Sequence, residues 1–163
     1  MSTPAEQPKP KDIVGQGGLA DHLTDGMALA VVEFMCDLAS VLNMAGWKIL
    51  VLTEPCEDDC WADINHIDGK LTAQLRVCRT WMTLPRETQC EALTHETLHL
   101  LHYRIDDVIS DMPKFMGIGD AMRTGDAFRR ELEYMVDHLA RYIASKTTVQ
   151  EAWVKFLRKH KVK

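Results

Sequence analysis

Apolar residues recur along this chain at two periods, and the switches between them mark out its elements. From Asp21 onward, Met27, Val31, Phe34, Met35, Leu38, Val41 and Leu42 stand three and four residues apart. That spacing predicts one buried face of an α-helix, with Gly46 as a suitable stop. The run Trp47–Leu52 (WKILVL) then reads as a strand, closed by the loop around Pro55. Trp61–Ile67 predicts a second strand that turns at Asp68-Gly69, a strong hairpin signal. Leu71–Met82 predicts a third, in which Leu71, Ala73, Leu75, Val77 and Arg79 alternate against Thr72, Gln74, Arg76 and Cys78.

The helical period returns after Pro85, which suits the first position of a helix. That helix is expected to reach about Tyr103. Cys90, Leu93, Thr97, Leu100 and Leu101 fall on one side of it, and Thr88, Ala92, His95, His99 and His102 on the other. The stretch 104–125 carries Pro113, Gly117, Gly119 and Gly125, and reads as a long loop that could act as a lid. Asp126–Ser145 is helical again, striped by Phe128, Leu132, Met135, Val136, Leu139 and Ile143. A basic helix, Val149–Lys163, is expected last. Residues 1–20, rich in Pro, Gly and charge, predict a disordered lead-in to a single domain spanning 21–163. The expected class is α+β: a small twisted sheet of three to four strands packed on the histidine-bearing helix and further helices.

Composition changes this picture little. The 163 residues suffice for one real core. A net charge of −5 gives no reason to expect nucleic-acid binding. No apolar run approaches the length of a membrane span, and the N-terminus lacks the apolar segment of a secretory signal, so a cytoplasmic protein is expected. Five cysteines, an odd number, predict reduced thiols. Cys56 and Cys60 in the acidic PCEDDC loop have the spacing to close a disulfide or hold a metal, but no second ligand pair lies nearby.

The chemistry concentrates in His95-Glu96-Thr97-Leu98-His99, which fits H-E-x-x-H on a helix. Two imidazoles at i and i+4 share a face and can bind one ion, and the intervening Glu can reach a metal-bound water. A catalytic zinc needs a third protein ligand and one open position. His102 lies about 10 Å along the axis from His95, too far to share the ion comfortably. The three-histidine extension of the motif also fails, because His102 stands where Gly belongs and Ile105 where His belongs. The better source is the helix containing Glu131 and Glu133. These two flank the Leu132 stripe almost symmetrically, so periodicity does not choose between them. Glu133 is favoured because Asp137, four residues on, can accept the far N–H of a bound histidine. Glu131 stands as the alternative ligand.

His95-Glu96-x-x-His99 followed by Glu133-x-x-x-Asp137 resembles the gluzincin group of zinc metallopeptidases. The pattern looks closer to the small zincin-like proteins of actinobacteria and their phages than to thermolysin, over roughly residues 47 to 143. Their ligand helix reads like E-x-x-V-x-x-L-A, against Glu133-Tyr134-Met135-Val136-Asp137-His138-Leu139-Ala140 here. The resemblance implies a zincin-like fold and a Zn²⁺ ion held by His95, His99 and Glu133. It implies hydrolysis of peptide bonds with Glu96 as general base. It also implies a peptide or protein substrate added as a strand at the sheet edge, which chain order puts near Leu75–Trp81. Tyr103, Tyr134 and His138 are candidate oxyanion stabilisers. Two other expectations stand beside this one. The chain would be a zinc-binding, zincin-like regulatory or host-directed factor without significant catalysis, or an interaction protein whose motif is accidental and whose WVKFLRKHKVK end binds a partner.

Overall fold

Thr24 opens the first helix by accepting the Met27 N–H on its Oγ1 at 3.2 Å, a side-chain cap on an otherwise orphaned donor. The helix, α1, runs Asp25–Val41 and buries Met27, Val31, Phe34 and Met35 completely. It belongs to a computed structural model that describes residues 23–57 and 60–162. Strands β1 (Lys48–Val51), β2 (Ala62–His66) and β3 (Thr72–Val77) follow. Three further helices complete the chain: α2 (Arg86–Asp111), α3 (Ile118–Ala144) and α4 (Thr147–Lys159). The class is thus α+β, with four helices and one three-stranded mixed sheet among the described residues. The lead-in expected over residues 1–20 lies outside the described residues. No helix among those described is long and apolar enough to cross a membrane.

The sheet order is β1-β3-β2. β3 runs parallel to β1, from Lys48↔Thr72 to Val51↔Leu75, and antiparallel to β2, from Ala62↔Val77 to His66↔Ala73. The Asp68-Gly69 turn makes the β2–β3 hairpin, with Gly69 at a φ of 70° that side-chain-bearing residues rarely adopt. This order corrects one expectation. Leu75 lies in the central strand, paired on both sides, so a peptide has no edge to join there. The edge next to α2 is β2. The alternation expected through Arg79 also stops early. The Cys78 N–H returns to Trp61 O, and Trp81–Thr83 forms a 3₁₀ turn, so Cys78 is buried and Arg79 exposed.

Ile49, Leu75, Leu93, Trp81 and Trp153 join the α1 side chains in the main core, where Phe34 meets Trp153 edge-on at 5.4 Å between ring centres. The C-terminal end of α4 closes over the start of α1. A Cβ on Gly26 would lie 2.6 Å from the His160 carbonyl oxygen, so only glycine permits that approach.

The largest departure from expectation lies between α2 and α3. Stretch 104–125 is not a loop. α2 continues to Asp111, a 3₁₀ turn spans Met112–Lys114, and α3 begins at Ile118. Pro113 does mark the turn and Gly117 the N-cap of α3. Gly119 and Gly125, however, stand inside the helix. Gly125 is there for packing: a Cβ would fall 2.8 Å from Ile109 Cγ2. The residues α3 buries are the small ones, Ala121, Gly125, Ala140 and Ala144, together with Val136. Phe128, Met135 and Leu139 of the expected stripe are exposed, as is Leu101 of α2. Small side chains let the two helices lie close together, and the large ones flank the contact instead.

Candidate metal centre

Three elements build the site. α2 carries His95, Glu96 and His99 near its middle, α3 returns antiparallel across it, and β2 forms the third wall. The line of contact between the helices runs from Leu98 against Val136 and Ala140 to Ile109 against Gly125. That pairing sets Glu133 and Asp137 opposite the two histidines.

His95 Nε2 and His99 Nε2 lie 2.9 Å apart, and their ring centres 4.7 Å apart. The Glu133 carboxylate reaches both, with Oε2 at 3.5 Å from His95 Nε2 and Oε1 at 3.4 Å from His99 Nε2. One ligand atom from each of the three residues lies within 4.8 Å of the others. Asp137 Oδ1 stands 3.0 Å from His95 Nδ1 and accepts its proton, which leaves the Nε2 lone pair directed at the cluster. Burial, followed by the neighbouring His99, holds the His95 pKa below its usual 6.5 against the opposing pull of Glu133 and Asp137. The neutral ring is the form a metal requires. A tetrahedral zinc with bonds of about 2.0–2.1 Å separates its ligands by about 3.3–3.4 Å. The two His–Glu separations, each to a different Glu133 oxygen, lie close to that figure, and the His–His one is a few tenths short. Two neutral nitrogens and one carboxylate oxygen are also the donor set that zinc accepts.

Glu96 lies beside this cluster and is buried. Its carboxylate faces the Ile64 backbone N–H of β2, which favours the charged form. Burial raises its pKa well above 4.5, helped by the carboxylates of Asp63 and Glu133, and the Ile64 N–H only partly offsets this. Asp63 is itself held by Arg76, whose Nε and Nη2 donate to its two oxygens at 2.9 and 2.5 Å.

An open cleft of about 310 Å³ runs over these groups. His95, Glu96, His99 and Glu133 line one side, Asp63 and His66 of β2 the other, and Tyr103 one end. Tyr103 stands edge-on to both Trp47 and His66, at 5.2 and 5.5 Å between ring centres. Tyr134 and His138 do not line this cleft. Their rings lie tilted against each other at 4.3 Å, exposed, with Tyr134 and Glu131 bordering a second depression that Glu133 and Asp137 also line. Glu131 is absent from the histidine cluster. His102 turns its Nδ1 back to the Leu98 carbonyl oxygen at 3.1 Å and is likewise absent.

Asp63 and His66 are cleft residues that periodicity did not single out. Their only trace in the sequence is a strand, Ala62–His66, that carries polar residues toward both of its faces just upstream of the motif. His66 also approaches Asp68 at 3.4 Å and Asp107 at 3.8 Å, a surface group in which Asp68 is almost wholly exposed. The five cysteines are unbridged. Cys56 Sγ donates to the Cys60 carbonyl oxygen at 3.3 Å, within the loop where a disulfide or metal had been an option.

No protein-family model, curated protein or solved structure matches the chain. The site's own geometry therefore carries the functional reading.

Proposed function

We propose that this chain is a zinc-dependent metallopeptidase of the gluzincin type, with a zincin-like fold. The observation that carries the reading is the convergence of His95 Nε2, His99 Nε2 and Glu133 on one point, with Glu96 beside them in an open cleft. An accidental H-E-x-x-H would have no reason to meet a carboxylate from a helix thirty-odd residues away, still less one whose neighbour orients the first histidine.

His95, His99 and Glu133 would hold Zn²⁺, with Asp137 fixing the His95 tautomer. When bound, the ion supplies Lewis acidity and lowers the pKa of a coordinated water to about 7. Glu96 is the general base that takes a proton from water in the cleft and passes it to the leaving amine. A cation between the histidines would also offset the burial and like charge that now favour the protonated Glu96. Of the three candidate oxyanion stabilisers, Tyr103 is the one that lines the cleft, and it would donate to a developing oxyanion there. A peptide would lie along the free side of β2, the edge facing α2.

A zinc-binding factor without significant catalysis is the second reading. It is favoured by one observation, the burial of Glu96 against β2 rather than in open solvent. Turnover of a broad peptide library by the zinc-loaded protein separates the two. The peptidase reading expects cleavage that Glu96→Gln reduces by at least about 100-fold while zinc content stays unchanged. Equal inertness of the wild-type protein and Glu96→Gln leaves the binding-factor reading in its place.

A further inference from the structure

The face of the α2–α3 hairpin opposite the metal cluster is apolar and bare. On α2, Leu101, Ile105 and Val108 follow one another at four and three residues, a heptad-like spacing that puts them on one face. On α3, Phe128, Leu132, Met135 and Leu139 do the same. Val108 is 62% exposed, Phe128 53% and Met135 43%. Leu132 and Ile105 are half-buried at the base of the strip.

The two strips lie on the same side of the hairpin, and helix geometry shows why. On α2, the histidines stand to one side of the Leu98–Ile109 contact line and the strip to the other. On α3, Glu133 and Asp137 stand to one side of the Gly125–Val136 line and Phe128, Met135 and Leu139 to the other. The histidines meet Glu133, so the flanks bearing the strips face away from the cluster together. They form a continuous apolar seam along two antiparallel helices, which is half of a four-helix bundle.

The geometry points to a second copy of this chain as the group that covers the seam, hairpin against hairpin about a two-fold axis. Area argues for it. The seven strip residues offer on the order of 500 Å² of side-chain surface, so two copies would bury about 1,000 Å² between them. That total reaches the roughly 1,000 Å² that a specific interface needs. Shape argues for it too. The seam carries the same heptad spacing on both helices, and so can present its own complement after a two-fold rotation. The occupant is a helix pair, since helices with this spacing pack knobs into holes.

This inference does not depend on the metal. Sedimentation equilibrium of the full chain, with and without added zinc, is expected to give twice the chain mass at about 50 µM. The double variant Phe128→Lys/Met135→Lys is expected to weaken the dimer by at least about 100-fold, because it places two charges in the seam. Val41→Lys, at an exposed apolar site on α1, is expected to leave the mass unchanged. Far-UV circular dichroism establishes that each variant is folded, and Leu139→Glu serves in place of any that is not. A wild-type monomer up to about 100 µM overturns the proposal, as does a dimer that survives both seam variants.

Discussion

Asp137 Oδ1 accepts the Nδ1 proton of His95 across the α2–α3 interface at 3.0 Å, one helical turn beyond the carboxylate that faces the same ring's Nε2. The two acidic residues thus grip opposite ends of one imidazole. Removing the outer grip leaves the ring free to rotate and to change tautomer. Asp137→Ala is expected to weaken zinc binding about 10–100-fold without unfolding the protein. Competition against a chromogenic chelator measures it, and an unchanged dissociation constant would show that Asp137 orients nothing.

Gly125 sets the distance between the helices that carry the two halves of the site. Its absent side chain leaves room for Ile109, whose Cγ2 would stand 2.8 Å from an added Cβ. Gly125→Ala gains helix propensity of roughly 1 kcal/mol but overpacks a closed contact at a cost of about 1–3 kcal/mol. A net loss of about 1 kcal/mol in urea unfolding is expected, and Gly125→Val should lose more. A stabilised Gly125→Ala protein would mean that α2 and α3 are free to part.

Much of the fold was readable before any coordinates, and the part that was not has a physical cause. β1, β3 and α1 follow directly from alternation and from helical spacing, because each buries one regular face, whereas β2 is marked by the Asp68-Gly69 turn that ends it. Stretch 104–125 was misread because Gly and Pro mark loops only when nothing packs against them. Gly125 is a packing glycine, which sequence does not distinguish from a turn glycine. The α3 stripe failed for a related reason. Large apolar residues at helical spacing ordinarily face a core, yet here Val136 and the small residues do so, while Phe128 and Met135 face outward. In the site, the i, i+4 histidines and the Glu133–Asp137 pair were legible because helix geometry alone relates their members. The β2 residues Asp63 and His66 were not, since only the tertiary packing of β2 against α2 brings them to the cleft.

Glu33 links α1 to the end of α4 through Lys159 Nζ at 2.8 Å and His160 Nε2 at 3.0 Å. Partial burial pushes its carboxyl up, but the hydrogen bonds from Lys159 and the neighbouring His160 ring outweigh this and hold its pKa below 4.5. A carboxyl depressed in the folded state contributes stability above its unfolded pKa and loses it as pH falls through the folded value. Glu33→Gln should therefore cost about 0.5–1 kcal/mol at neutral pH, the scale of a largely solvated ion pair. The cost should shrink as pH falls below about 4.5 and through the lower folded value. Thermal unfolding of both proteins across that range tests this, and a difference that grows in acid would reverse the assigned sign.

Zinc stoichiometry in the purified chain and its ligand variants reaches the central claim most directly. The account predicts close to one zinc per wild-type chain, a loss of most of it in His95→Ala and Glu133→Ala, and full retention in Glu131→Ala. A wild-type protein that takes up no zinc, or a Glu133→Ala protein that binds it as tightly as before, would contradict the account.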